Sequence, residues 1–382
     1  MPMIKCRYFN GYKPCGKSEL CNETCAHLSL PTARVLVIHL EAIGAVVRST
    51  ALLAPIRRKF PGCHITWVTQ KPCDQILLHH PLIDRILTTS PDDLLSLSVL
   101  EFDVAFAVDK SLKAAGVLKK TKADLVFGFQ VEPASGSIVP ASIESEELWQ
   151  IGLSDRKKFF ENRKTETQLI HEALALGEWR RDPYHVELSV EEKKLRDRRR
   201  REWAADGRLI VGVNTGCSST IPYKKLSIEK QRELVAYLQR KYRVVLLGGR
   251  EDTLRNQQIA YGLTGTVQSS TDRGLRDGMI SVAACDIVVS GDSLGMHLAI
   301  AFGKWTVAWF GPTCAHEIDF YDRGMPVLTQ ARCSPCWKRQ CDRSVMCYDL
   351  VSVEELMAGV RAGEEYLKRE SEFCQHQDEM KF

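Results

Sequence analysis

A polar turn that runs directly into an apolar helix is the stretch of this sequence best suited to chemistry. Residues 287–289 form an apolar run typical of a strand buried on both faces of a parallel sheet. The turn at residues 290–293 follows, and residues 294–302 then repeat apolar side chains at helical spacing. Free backbone N–H groups and the helix dipole suit such a turn to binding an anion such as phosphate. Helix capping by Asp292 and Ser293 would explain the same residues equally well.

Two more buried runs in the second half of the chain end in polar turns. Residues 208–213 lead into a turn that contains Thr215, and Lys224 precedes the next helix. Residues 244–247 lead into a glycine-rich turn followed by Glu251. Taken alone, a lysine and a carboxylate in such turns are more often ordinary surface charges than ligand contacts. Because ligands lie outside the carboxyl ends of parallel strands, we expect all three turns at one edge of one sheet.

An alternation of apolar runs and helical patterns predicts the elements that position these turns. In the first half of the chain, strands are expected at residues 34–40, 65–68, 85–87, 103–109 and 125–129. Strands that alternate with helices imply a parallel sheet with right-handed crossovers. Residues 130–150, rich in Pro, Ser, Gly and Glu, predict a long loop. A charged helix over residues 190–203 is expected to leave the first domain, with the arginines at 198–201 in solvent.

The length and charge of the chain exclude several classes of protein. A chain of 382 residues is too long for one compact core and suits two domains. Its net charge of +4 is too small to favour nucleic-acid binding. No apolar run reaches membrane-spanning length, and the N-terminus lacks the apolar core of a signal peptide. We therefore expect a cytoplasmic protein, with at most peripheral contact with the inner membrane.

Fourteen cysteines are many for a cytoplasmic chain, and eight of them form two clusters. The clusters are Cys6, Cys15, Cys21 and Cys25 near the N-terminus, and Cys333, Cys336, Cys341 and Cys347 near the C-terminus. Four thiolates satisfy tetrahedral zinc or iron, and the second cluster begins with the C-x-x-C turn that brings two thiolates to one metal. Unliganded thiols, or disulfides in an oxidising compartment, are the alternatives. A structural metal is the favoured interpretation at the C-terminal cluster. At the N-terminal cluster a metal and cysteines without a metal are equally favoured.

The run D-S-L-G-M-H-L-A-I-A-F-G-K, followed by F-G-P-T, resembles the signature of the ADP-heptose heptosyltransferases, glycosyltransferase family 9. The resemblance covers about residues 34–360. It implies an α/β protein of GT-B architecture, in which two Rossmann-like parallel-sheet domains face a central cleft. The expected organisation is a cysteine-rich segment (1–30), an acceptor domain (31–190), a nucleotide-sugar domain (205–352) that includes the cluster at 333–347, and a C-terminal helix and tail (353–382).

The same resemblance implies roles for individual residues. In the family, the residue at the position of Asp292 holds sugar hydroxyls, the one at Lys224 binds donor phosphate, and the one at Glu251 meets the ribose. The residues expected to contact the donor are Gly44, Thr215, Lys224, Glu251, Asp292, Ser293, Leu294, Gly295 and His297. The family usually has D-T-G at the turn, whereas here the glycine comes one place later, after Leu294.

One departure from the family concerns the catalytic base. The phrase I-G-A-V-V-R-S-T resembles the family's I-G-D-V, but Ala45 stands where the family has its presumed base, an aspartate. An inverting transfer needs a group that takes the proton of the acceptor hydroxyl, and alanine cannot do so. An introduced, inactivating change is favoured because the neighbouring motifs are kept. Otherwise the base has been lost or relocated, and Glu41 is the nearest carboxylate in the sequence.

The resemblance implies an inverting transfer of heptose from ADP-heptose to a lipopolysaccharide-core sugar or a related glycan, free or lipid-linked. The family implies no catalytic divalent metal. Two alternatives stay open. A protein heptosyltransferase is one, because a cysteine-held metal finger also resembles that branch. A catalytically dead sugar-nucleotide-binding protein is the other, because it would explain Ala45.

Overall fold

A computed structural model describes residues 5–9 and 11–379, with side chains described up to residue 373. Residues 1–4, 10 and 380–382, which belong to the expected N-terminal segment and C-terminal tail, lie outside the described part. The chain divides into two compact units. Unit 1 comprises Met1–Asn162 and Glu166–Asp182, and unit 2 comprises Arg163–Thr165 and Pro183–Phe382.

Unit 1 is built on one six-stranded sheet. Its strands are β1 (Arg34–Ile38), β2 (His64–Thr69), β3 (Arg85–Thr88), β4 (Glu101–Ala107), β5 (Lys122–Glu132) and β6 (Ser137–Pro140). Its helices are α1 (Ile43–Ser49), α2 (Leu53–Lys59), α3 (Asp74–Leu77), α4 (Pro91–Leu97), α5 (Leu112–Lys119), α6 (Glu146–Gly152) and α7 (Glu166–Ala173). The strand order is β3-β2-β1-β4-β5-β6, and only the β5–β6 pair is antiparallel. This order is Rossmann-like, with its reversal between β1 and β4.

The expected long loop at residues 130–150 is wrong. Strand β5 continues to Glu132, β6 pairs with it, and α6 follows. Polar residues of this stretch join the short elements to one another. The Trp149 indole donates to the Ile138 carbonyl at 2.9 Å, and the Ser145 hydroxyl lies 3.1 Å from the Gly128 amide and 2.8 Å from the Ala173 carbonyl. The hairpin strand and the helix of this stretch are both short. The residues typical of loops therefore mark the connections between them and not one long loop.

Unit 2 repeats the architecture with an all-parallel sheet. Its strands are β7 (Ile210–Asn214), β8 (Arg243–Leu247), β9 (Val267–Gln268), β10 (Ile287–Gly291), β11 (Trp305–Phe310) and β12 (Gly324–Leu328). Its helices are α8 (Val190–Trp203), α9 (Ile228–Leu238), α10 (Thr253–Ala260), α11 (Leu275–Ala284), α12 (Leu294–Ala301) and α13 (Val353–Glu379). The strand order is β12-β11-β10-β7-β8-β9, so the reversal lies between β7 and β10.

Helix α8 packs against α11 although its sequence is strongly charged. It begins with a capping box, in which the Ser189 hydroxyl accepts from the Glu192 amide and the Glu192 carboxylate accepts from the Ser189 amide. The prediction that its arginine run is only solvated is wrong, because Arg199 is buried. Its guanidinium pairs with Asp277 and donates to the Ser281 hydroxyl of α11 at 2.7 Å. Paired arginine is one of the few ways a charge can be buried at low cost.

Each unit has its own apolar core beneath its sheet. In unit 1 the core includes Leu36 and Ile38 of β1, and in unit 2 it includes Val211 and Val213 of β7. Helix α13 completes the second core by burying Leu356. The central strands are covered on both faces, which explains their uninterrupted apolar runs. Of the helices in the described part of the chain, none is long and apolar enough to cross a membrane.

Candidate functional site

In unit 2, the three expected polar turns lie at the carboxyl edge of one sheet, because β10, β7 and β8 are adjacent and parallel. Strands β7 and β10 are neighbours, and Asn214 ends the first of them. Its side-chain amide donates to the Ser290 hydroxyl at 3.1 Å and to the Ser293 hydroxyl at 3.0 Å, at the end of β10. The same amide donates to the Gly216 carbonyl at 3.0 Å. Sequence reasoning did not single out Asn214 as a site residue, although a polar residue closing a buried strand was a usable signal.

A charged cluster lies at this edge around Asp292. The Lys224 ammonium is 2.7 Å from Asp292 Oδ2, and His297 Nε2 is 3.8 Å from Asp292 Oδ1. Only about an eighth of the Asp292 side chain is exposed, at 12%. Burial alone would raise the pKa of Asp292, but the positive charges of Lys224 and His297 bring that pKa below its ordinary value. Asp292 is therefore an anion held against a cation, at the N-terminal end of α12.

Two glycines explain how the backbone reaches this arrangement. A Cβ atom on Gly291 would lie 2.3 Å from the Lys224 carbonyl oxygen, so only glycine allows the Lys224 backbone to pack there. A Cβ atom on Gly295 would lie 2.5 Å from Cγ of Asn214. Position 295 therefore requires glycine, because the Asn214 side chain fills the space beside it.

Thr215 and Glu251, two further expected donor residues of unit 2, have different surroundings. Thr215 is buried, and its hydroxyl lies within hydrogen-bond distance of the Leu247 carbonyl and the Asn256 side chain. Glu251 is exposed, whereas its neighbour Asp252 is buried and accepts from the Gly249 amide at 3.0 Å. The Thr215 hydroxyl and Asp252 therefore stabilise the turns, and Glu251 is the carboxylate that a solute can reach.

In unit 1, Gly44 and Ala45 lie in the first turn of α1, both half-buried. The position of Ala45 is thus at a helix start, as the resemblance implies, but it carries no acid or base. The fallback base Glu41 is exposed, and its carboxylate pairs with the Lys113 ammonium at 3.3 Å. An exposed ion pair of this kind is weak, so Glu41 remains accessible to other partners.

A carboxylate that sequence reasoning missed lies beside this loop. Asp109 follows β4, and its Oδ2 accepts a hydrogen bond from the Leu40 amide. Burial raises the pKa of Asp109 to about 6, and the nearby Glu41 carboxylate acts in the same direction. His39 Nε2 lies 3.6 Å from Asp109 Oδ1, and burial followed by the charge of Arg48 lowers the pKa of His39 to about 3. His39 is therefore neutral at pH 7, and Asp109 ties β4 to the loop before α1.

The C-terminal cysteines come together in space. All four line one small cavity of about 20 Å³, together with Tyr223, Lys338 and Arg343. Burial, and after it the neighbouring thiols Cys336, Cys333 and Cys341, raises the pKa of Cys347 to about 11. Four sulfur donors with two cations beside them fit a thiolate-bound metal in number and in chemistry.

Metal-ligand geometry is nevertheless not formed at either cluster. Within the described residues, no three His, Cys, Asp or Glu side chains are arranged to hold a metal ion. The four cysteines of the N-terminal cluster are half-buried, and Cys6 Sγ accepts from the Ser29 amide at 3.5 Å. The structure thus gathers the C-terminal thiols without supporting the predicted metal at either place.

Known proteins share this architecture. The solved structure of a glycosyltransferase family 9 protein from Veillonella parvula DSM 2008 has a TM-score of 0.66 and 17% identity, and the match covers 88% of this chain and 98% of that one. Escherichia coli ADP-heptose LPS heptosyltransferase II has a TM-score of 0.62 and 18% identity, over 85% and 98% of the two chains. The iron-containing dodecameric glycosyltransferase TibC from enterotoxigenic E. coli H10407 has a TM-score of 0.52 and 12% identity, over 88% and 77%.

These identities establish the fold alone, and they confirm the prediction of a GT-B α/β protein with two Rossmann-like sheets. No curated protein matches the chain. The family is shown by the sequence itself, because residues 96–346, more than half of the chain, match the family model described as glycosyltransferase family 9 (heptosyltransferase). The chain therefore belongs to glycosyltransferase family 9, the heptosyltransferases.

Proposed function

We propose that this protein is an inverting glycosyltransferase that moves heptose from ADP-heptose to a lipopolysaccharide-core sugar or a related glycan. The observation that carries the donor assignment is the cluster of Asp292, Lys224 and His297 at the carboxyl edge of the sheet of unit 2. A lysine beside free helix amides suits a diphosphate, and an ionised aspartate suits sugar hydroxyls. Two of the proteins that share the fold are described as an ADP-heptose LPS heptosyltransferase and a heptosyltransferase with ADP.

An open pocket in unit 1 supports an anionic acceptor. This lysine pocket, of about 700 Å³, is lined by Gln70, Lys71, Thr88, Thr89, Ser90, Leu94, Lys113, Gly116, Val117 and Lys120. It lies beyond the carboxyl ends of β2 and β3, where ligands of parallel sheets bind. Its three lysines suit the phosphate or carboxylate groups of a core glycan, whereas the Thr88 and Ser90 hydroxyls already bond to Asp93. If that glycan is lipid-linked, the protein acts from the cytoplasm in peripheral contact with the inner membrane.

Gly116 lines the lysine pocket as an exposed residue. It lies in the interior of α5, where glycine costs helical stability relative to alanine. A Cβ atom there would meet no atom within 4 Å, so packing in unit 1 does not require the glycine. Its exposure leaves the backbone of α5 accessible to an acceptor group in the lysine pocket.

Donor binding tests the proposed function directly. We expect the purified protein to bind ADP-heptose and ADP in isothermal titration calorimetry, and to bind UDP-glucose more weakly. Binding is expected even though Ala45 cannot act as a base, because the proposed donor contacts lie mainly in unit 2. If neither ADP-heptose nor ADP binds at millimolar concentration, the proposed function is wrong. If donor binds but no variant transfers sugar, the protein is instead a binding protein for sugar nucleotides.

We also propose that Cys333, Cys336, Cys341 and Cys347 hold one structural zinc or iron ion. Their shared cavity supports this proposal, and TibC, which shares the fold, is described as iron-containing. The thiols would close around the ion as they deprotonate, because the metal binds thiolates and not thiols. The ion would then stabilise the loop that carries the four cysteines.

Elemental analysis of protein purified without chelator checks the metal. We expect about one equivalent of zinc or iron, and its loss in the Cys333→Ser/Cys336→Ser double variant. The Cys21→Ser/Cys25→Ser double variant is the matched control, and it should keep that equivalent. A second equivalent that only this control loses would support a metal at the N-terminal cluster. Absence of both metals from the unmodified protein would show that the cysteines are free thiols.

A further inference from the structure

The loop that carries the C-terminal cysteines touches the lysine expected to bind donor phosphate. We call residues 333–347 the cysteine loop. We infer that Trp337 and Tyr223 are positioning residues that hold Lys224 for the donor diphosphate, so that the cysteine loop sets donor affinity. This inference rests on the proposed function, because it assumes that Lys224 meets the diphosphate.

The aromatic face of Trp337 holds the end of the Lys224 side chain. The ammonium lies 5.6 Å from the centroid of the Trp337 ring, within the range of a cation–π interaction. Asp292 holds the same ammonium at 2.7 Å. Lys224 is therefore constrained by an anion and by an aromatic face, and 18% of its side chain is exposed to solvent. A lysine with few accessible rotamers loses less side-chain entropy when it meets a phosphate.

Backbone hydrogen bonds hold Trp337 in this position. The amides of Cys336 and Trp337 both donate to the Pro312 carbonyl, at 3.1 and 2.8 Å. The Ser334 hydroxyl donates to the Gly311 carbonyl next to it. Gly311 and Pro312 follow β11 directly, in the F-G-P-T sequence. The cysteine loop is thus attached to the carboxyl edge of the same sheet that carries Asp292.

A second contact joins the cysteine loop to the residue before Lys224. The Cys341 amide donates to the Tyr223 hydroxyl at 3.0 Å, and Tyr223 also lines the cavity of the four thiols. Tyr223 and Lys224 belong to one short 3-10 helix, Pro222–Lys224. The close approach of Gly291 also limits the Lys224 backbone. A change in the cysteine loop therefore reaches Lys224 through both its side chain and its backbone.

A double-mutant cycle, with ADP affinity measured by calorimetry, tests whether Trp337 acts through Lys224 or by disturbing the fold. We expect Trp337→Leu to weaken ADP binding about three- to tenfold, the scale of a cation–π contact. Trp337→Phe should restore most of the affinity, because it keeps an aromatic face. In a Lys224→Ala background, Trp337→Leu should have no further effect, because its influence passes through that ammonium. Tyr223→Phe should weaken ADP binding about threefold, since the Cys341 amide loses its acceptor.

Val345→Ala is the matched control, because Val345 is an exposed side chain in the same loop. It should bind ADP like the unmodified protein. Equal ADP affinity of Trp337→Leu and the unmodified protein would overturn the inference while leaving the proposed function intact. An equal loss from Trp337→Leu with and without Lys224 would also overturn it, since the tryptophan would then act by another route. If the unmodified protein binds no ADP, the proposed function and this inference fail together.

Discussion

Replacing Ala45 with aspartate is expected to raise the rate of heptosyl transfer at least about a hundredfold over the present sequence. General-base assistance contributes about 10²–10⁴-fold in rate, and position 45 carries none. Ala45 lies in the first turn of α1, where the helix N-terminus stabilises a negative charge and keeps a carboxylate ionised. An ionised carboxylate is the form that can accept the proton of the acceptor hydroxyl.

The measurement is release of ADP from ADP-heptose, with core glycan from a heptose-deficient strain as acceptor. Ala45→Asn is the control, because it has nearly the shape of aspartate without a base. A similar gain from Ala45→Asn would show that the effect is steric. Equal and high rates for the present sequence and for Ala45→Asp would mean that another group, such as Glu41, is the base. Donor affinity should be the same in all three proteins.

Removing Lys224 is expected to weaken donor binding by about 1–3 kcal/mol, or roughly 5- to 150-fold in Kd. The Lys224→Ala change removes a charged hydrogen-bond donor for phosphate. It also leaves the buried Asp292 carboxylate without its 2.7 Å partner, so the pKa of Asp292 should rise and its charge should repel the diphosphate. Calorimetry with ADP-heptose measures the loss of the Lys224 contact and the repulsion by Asp292 together, as one change in affinity.

Lys194→Ala is the control for the loss of one positive charge, because Lys194 is an exposed lysine of α8 in the same unit. It should leave the affinity within about twofold, since exposed charges at a distance are screened by salt. Thermal unfolding of each variant shows whether the fold is retained. Unchanged donor affinity in a folded Lys224→Ala protein would contradict the donor site proposed for unit 2.

The strands at the centre of each sheet could be predicted because the burial of both faces leaves a continuous apolar run. Both β1 and β7 follow that rule, and the polar residues after them mark the sheet edge. The hairpin and helix within residues 130–150 could not be predicted. Their composition is that of a loop, and only pairing with β5 and the contact between Trp149 and Ile138 makes them regular.

The sequence by itself determined the family, the alternation of strands and helices, and the absence of a carboxylate at position 45, because each is a local pattern of residue types. Only the tertiary structure decided which polar groups meet. Asn214 reaches Ser290 and Ser293, Asp109 reaches the loop before α1, and Trp337 reaches Lys224. These partners are far apart in the chain, and the order of strands in a sheet brings them together. The sequence indicated that polar turns share a sheet edge, but it does not give the individual contacts, because these depend on how the parallel strands and their crossovers pack.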